Sequence, residues 1–172
     1  VQGEPLTHNM LSWAKQHVEW SLAEGDYTAR DGVLMLVIDV NGNAAMTVGE
    51  YEPLTDTSAK ALRARSAEAR SEADETGVAP ELLAAVDNGE LAFVAPADEC
   101  LCGTATLIEQ LAQTKGIPVT RVDIPAQLKG ALFLVSDEHG VVPAAETGAA
   151  EADAATVAFF ADGYEKLRAR RS

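Results

Sequence analysis

An Asn41-Gly42 pair standing between two short apolar runs constrains this chain more than any other feature. Both residues tolerate positive φ, so the pair closes a hairpin whose twist matches that of the strands it joins. The run before it, Val33-Leu34-Met35-Leu36-Val37-Ile38-Asp39, follows Gly32 and is rich in branched residues. It is too short for an independent helix, so a buried strand is predicted, with residues 44–51 returning beside it. A second hairpin is expected from the apolar run at residues 131–136, a turn at 137–140 and a return through Val141-Val142-Pro143. Residues 90–94 make a further strand after a turn at Asn88-Gly89, and residues 118–124 alternate imperfectly.

Helical spacing covers the remaining stretches. Met10, Leu11, Trp13, Ala14, Val18 and Leu22 recur as one face of a helix over residues 9–24, with Asn9 as its cap. Trp13 and Trp20 are seven apart and share a side, which suits a core ridge, the alternative being a stripe for a partner. Residues 56–73 can be helical, but Leu62 is their one large apolar residue, so little burial is expected. Residues 72–80 look like a linker and residues 80–86 like a short helix, so 56–86 reads as a helical insertion. Residues 104–115 place Leu107, Ile108, Leu111 and Ala112 on one face, with Gly116 where a helix ends. Residues 154–171 close the chain as a helix with Val157, Phe160, Tyr164 and Leu167 inward, and Arg168, Arg170 and Arg171 suit the dipole at its end. Together these elements predict an α+β fold in one domain, 1–172. Its mixed sheet or partial barrel carries two β-hairpins and is packed by about four helices.

A chain of 172 residues, 47% hydrophobic, supports one good core and is short for two ordinary domains. Its 13 Lys and Arg against 27 Asp and Glu give a net charge of −14, which repels phosphate backbones and anionic bilayers. Neither nucleic acid nor membrane is therefore an expected partner. No window approaches the roughly 18 apolar residues of a membrane helix, and residues 1–10 carry no basic segment followed by an apolar run, so a cytoplasmic location is expected. Cys100 and Cys102 are one residue apart, too close for an unstrained disulfide, and are expected as reduced thiols. Their spacing matches no common zinc motif, and no metal is expected. Phosphate-loop, dinucleotide-glycine, Ser-His-Asp and paired-carboxylate patterns are missing from the sequence.

The order of these elements resembles the large domain of the fold-type IV pyridoxal phosphate enzymes: branched-chain and D-amino-acid aminotransferases and aminodeoxychorismate lyases. The segments that carry the resemblance are residues 9–19, 39–43, Asn88-Gly89-Glu90-Leu91, 100–112, 116–125 and Gly140-Val141-Val142-Pro143. The family's cofactor lysine corresponds to the neighbourhood of residues 5–8, where there is none, and the first lysine is Lys15. Its pyridine-nitrogen glutamate corresponds to Met46, whose thioether cannot pair that nitrogen. Its phosphate-binding Gly-Ile-Thr-Arg corresponds to Gly103-Thr104-Ala105-Thr106, which keeps the helix start and loses the arginine. The smaller domain that covers the cofactor in those enzymes has no counterpart in these residues.

The resemblance thus implies a degenerate relative without pyridoxal phosphate and with no other cofactor expected. Such a protein would bind a small molecule in the old cleft or assist a partner enzyme. The cleft would be lined by His8, Cys100, Cys102, Gly103, Thr104, Thr106 and the turn carrying His139. Of these, His8, Gly103, Thr104 and Thr106 are the candidate ligand-binding residues. An alternative is new chemistry with Cys100 or Cys102 as nucleophile and His139 or His8 as base, since a helix start lowers a thiol pKa. A further alternative is an interaction protein that dimerises through the tryptophan-bearing helix, without a small-molecule site. Core packing is the plainer account of both cysteines.

Overall fold

Leu82-Leu83-Ala84-Ala85-Val86 is an apolar run without alternation, and a strand covered on both faces needs none. In the computed structural model, which describes residues 7–25, 32–38, 43–146 and 148–169, this run is the centre of the main sheet. The elements in order are α1 (His8–Glu24), β1 (Gly32–Ile38), β2 (Ala44–Glu50), α2 (Ala59–Thr76), β3 (Leu82–Asp87), β4 (Glu90–Val94), α3 (Gly103–Thr114), β5 (Val119–Val122), β6 (Ala131–Ser136), β7 (Gly140–Pro143) and α4 (Glu151–Ala169). They group into two compact units, residues 1–52 and residues 53–172.

In the first unit, β1 and β2 pair antiparallel from Gly32↔Glu50 to Ile38↔Ala44, the pairing expected around Asn41-Gly42, a turn that lies outside the described residues. Leu34, Met35 and Val37 are exposed, so β1 is not the buried strand that its composition suggested. A two-stranded ribbon has no further strands or layers of its own to cover an apolar face. Helix α1 starts one residue before the expected cap: Thr7 Oγ1 accepts from the Met10 N–H at 3.3 Å, and Asn9 lies within the first turn. Trp13 and Trp20 are exposed rather than a core ridge, and Ala14 is the one buried residue of the helix. Trp13 instead stacks on His17, with ring centroids 5.2 Å apart, as residues four apart on a helix do.

The second unit is built on a five-stranded sheet of order β5-β4-β3-β6-β7, in which β4–β5 is parallel and the other pairs are antiparallel. Asn88 (φ 51°) and Gly89 (φ 77°) both adopt left-handed backbone and close β3 onto β4, a third hairpin beside the two expected. The expected helix at 80–86 is therefore β3. Its two alanines and neighbouring Glu81 suit a helix locally, but pairing with β4 and β6 on either side decides for strand.

Alternate residues of β3 feed two cores. Leu82, Ala84 and Val86 join Phe93, Phe133, Ile108, Val157 and Phe160 under α3 and α4. Leu83 and Ala85 join Val94, Leu128, Leu134 and the fully buried Leu62 of α2. Helix α2 thus buries more than its composition suggests, because Leu62, Ser66 and Ala69 recur at helical spacing and the small residues let it lie close to the sheet. Ser66 Oγ ties it to the start of β3, donating to the Glu81 carbonyl and accepting from the Leu83 N–H, both at 3.2 Å. On α4, Val157 and Phe160 are buried as expected, whereas Leu167 is exposed in the last turn. Among the described residues, no helix is long and apolar enough to cross a membrane.

Candidate functional site

The β6–β7 turn, residues 137–139, organises one end of the sheet. Ser136 is fully buried, and its Oγ accepts the N–H groups of Glu138 at 3.1 Å and His139 at 3.0 Å, which fixes the turn from inside. Gly140 follows at φ 72°, and a Cβ there would collide with the Tyr164 ring, so α4 packs directly on the turn's backbone. The turn then sends its side chains in two directions.

Asp137 reaches the start of α3. Its carboxylate accepts from the Gly103 N–H at 3.1 Å and from the Thr104 N–H at 2.6 Å. Cys102 occupies the cap position of that helix and makes no side-chain cap bond. Asp137 therefore supplies from another strand the acceptor that the local sequence lacks, and its negative charge suits the positive end of the helix. Thr106 is exposed, and its Oγ1 donates to the Cys102 carbonyl at 3.1 Å, one turn back along the helix. Thr104 is buried, with the Tyr164 side chain near it.

The same carboxylate also acts on Cys102, second to burial. A helix start alone would lower the thiol, but burial and then the Asp137 carboxylate beside it push it up to about 12. Cys102 is buried, and this upward shift runs against the activated thiolate expected there. Cys100, two residues earlier, is exposed.

Glu138 and His139 belong to the other direction. The His139 side chain is 3% exposed, and its Nε2 lies 4.0 Å from Glu81 Oε1 and 3.8 Å from Glu138 Oε1. Glu81, just ahead of β3, is held by a two-pronged Arg65, with Nε to Oε2 at 2.6 Å and Nη2 to Oε1 at 3.1 Å. Ser136 Oγ donates to the same Oε1 at 2.7 Å. Arg65, on α2, is raised above the ordinary guanidinium value by its hydrogen bonds to Glu81, against some desolvation. Glu138 Oε2 lies 3.8 Å from Arg65 Nη2 and completes the group.

Of the residues singled out from sequence, the structure brings together Cys102, Gly103, Thr104 and the β6–β7 turn. His8 is the exposed first residue of α1 in the first unit. Asp137, Glu81, Glu138 and Arg65 were missed as site residues. Asp137 and Glu138 show in the sequence only as part of the turn at 137–140, and nothing local in the sequence pairs Glu81 with a residue 58 positions on. A half-open depression of about 170 Å³ lies elsewhere, between Ala59 and Arg63 of α2 and Leu128, Gly130, Leu132 and Ala144.

No family model matches the sequence, and no curated protein matches it either. Among solved structures, the chain is similar to a protein provisionally named 4-amino-4-deoxychorismate lyase, with a TM-score of 0.54 and 14% identity over 86% of this chain and 75% of that one. A protein from Mesorhizobium loti provisionally named an amino-acid aminotransferase is similar over 76% of this chain and 80% of that one, with 21% identity and a TM-score of 0.45. The first likeness shows the shared fold. The mixed α+β architecture expected from the resemblance to fold-type IV enzymes is the one observed.

Proposed function

We propose that this chain is a pyridoxal-phosphate-independent relative of the fold-type IV enzymes, acting as a binding or accessory module rather than as a transaminase or lyase. The observation that carries this reading is the Asp137 carboxylate on the Gly103 and Thr104 amides. In the enzymes the chain resembles, the corresponding helix start receives the cofactor phosphate. A fixed carboxylate there uses the same donors and repels a dianion. The residues present therefore do not fit the cofactor. The lack of a lysine at residues 5–8, Met46 in place of a glutamate and Thr106 in place of an arginine support the same reading.

Thiol catalysis gains no support from Cys102, which stays protonated well above neutral pH. Between a small molecule and a partner protein as the bound species, the exposed Leu11, Trp13, Trp20 and Leu22 of α1 favour a partner. A partner enzyme and a second copy of this chain are both compatible with that surface.

An amide-resolved NMR titration of the full chain with pyridoxal phosphate, and separately with inorganic phosphate, tests the proposal. The Gly103 and Thr104 signals are expected to stay in place through millimolar ligand. Saturable shifts at those two amides with pyridoxal phosphate would overturn it.

A further inference from the structure

We propose that Glu81, Glu138 and His139 form a binding site for one divalent transition-metal ion. The inference is independent of the reading above, since it concerns the α2 side of the β6–β7 turn and not the start of α3.

One nitrogen and two carboxylate oxygens, one from each residue, lie within 4.8 Å of one another, with Nε2 of His139 at 4.0 and 3.8 Å from the two oxygens. A point equidistant from three donors so spaced lies about 2.5 Å or less from each, and metal–ligand bonds of about 2.0–2.2 Å need each donor to move inward by only a few tenths of an ångström. The three would occupy one face of the ion and leave the remaining positions to water. Glu138 is the solvent-facing member, its side chain 36% exposed, and provides the way in, while His139 and Glu81 are held from behind at 3% and 13%.

Two features make this more than a meeting of acids. The donors are already positioned: Ser136 Oγ fixes the backbone of both turn residues and donates to Glu81 Oε1, and Arg65 holds the Glu81 carboxylate through Nε on Oε2. Outer partners of this kind orient metal-bound carboxylates. A metal ligand must be a neutral imidazole, and with His139 in that form two carboxylates face the single guanidinium of Arg65, so that a cation offsets the excess. The weaker Arg65 contact, Nη2 to Oε1 at 3.1 Å, is the one an ion would loosen.

The donor set selects the ion class. An imidazole with two carboxylates suits manganese, iron, cobalt or zinc better than calcium or magnesium, which prefer all-oxygen sites.

The test uses the full chain, stripped with a chelator and titrated with Co²⁺ as the probe, read by visible absorbance and by native mass spectrometry for stoichiometry. One equivalent is expected to bind with ligand-field bands, Zn²⁺ is expected to displace it, and Glu138→Gln is expected to weaken it at least about tenfold. Glu138 is partly exposed, so this variant keeps the fold, and it decides the question even where His139→Gln fails to fold. Absence of one-to-one binding, or binding that Glu138→Gln leaves within about twofold, would overturn the proposal: the first outcome reduces the cluster to an ion-pair network and the second to loose ions on an acidic surface.

Discussion

Replacing Asp137 with alanine removes both acceptors from the start of α3 and leaves Cys102, a poor cap, in their place. Two charge-assisted bonds at 3.1 and 2.6 Å are lost. Asp137 is exposed, so water recovers part of each, and the loss is that of a good helix cap, about 1–2 kcal/mol. For a chain of this size that is a fall in melting temperature of about 2–8 °C. The same change acts on Cys102, because the carboxylate is the second cause, after burial, of its raised thiol. Its pKa is expected to drop from about 12 while staying above the ordinary 9.0, since burial remains. Urea unfolding gives the first quantity, and thiolate absorbance against pH, in a Cys100→Ser background, gives the second. An unchanged midpoint together with an unchanged titration would refute the trans-capping argument. A destabilised protein with an unchanged thiol would refute its electrostatic half.

Cys102 also gives a dependence on pH. Its thiol ionises at about 12 in the folded chain and near 9.0 when unfolded, so the contribution is whole below pH 9 and is lost as pH rises toward 12, with a slope of about 1.4 kcal/mol per pH unit. Urea midpoints from pH 8.5 to 10.5 are expected to show that fall, and Cys102→Ala is expected to lack it. Gly140→Ala places a Cβ into the Tyr164 ring at left-handed φ, and a loss of more than about 2 kcal/mol is expected in the same assay. Asp153→Ala removes the acceptor for the Asn88 and Gly89 amides at 3.1 and 3.0 Å, and is expected to cost about 1–3 kcal/mol. Leu62→Ala, in the fully buried anchor of α2, is expected to cost about 2–5 kcal/mol by denaturation, whereas a cost under 1 kcal/mol would return α2 to a solvated insertion.

Most strands were legible because turn chemistry and composition agree at them. The runs that become β4, β6 and β7 are bounded by Asn-Gly, Asp or Gly, and α3 ends at a glycine with φ 68°. β3 was misread because a strand buried on both faces has no period, and Ala84-Ala85 removes the bulk that marks a strand. The inward face of α2 escaped notice because Ser66 and Ala69 are not hydrophobic signals on their own, yet both are buried. The tryptophans of α1 misled in the opposite sense, since size argues for burial and helical spacing does not say which face is covered. The site was legible only as a place. The resemblance pointed to residues 100–106 and to the turn at His139, but the partners that set their chemistry, Asp137 for α3 and Glu81 with Arg65 for His139, lie tens of residues away in sequence.

Native mass spectrometry of the full chain after incubation with excess pyridoxal phosphate, read with its visible absorbance, tests the central claim most directly. The mass of the chain without pyridoxal phosphate and a spectrum free of protein-bound pyridoxal are the expected results. One tightly held equivalent with that absorbance would contradict the account and return the chain to pyridoxal chemistry.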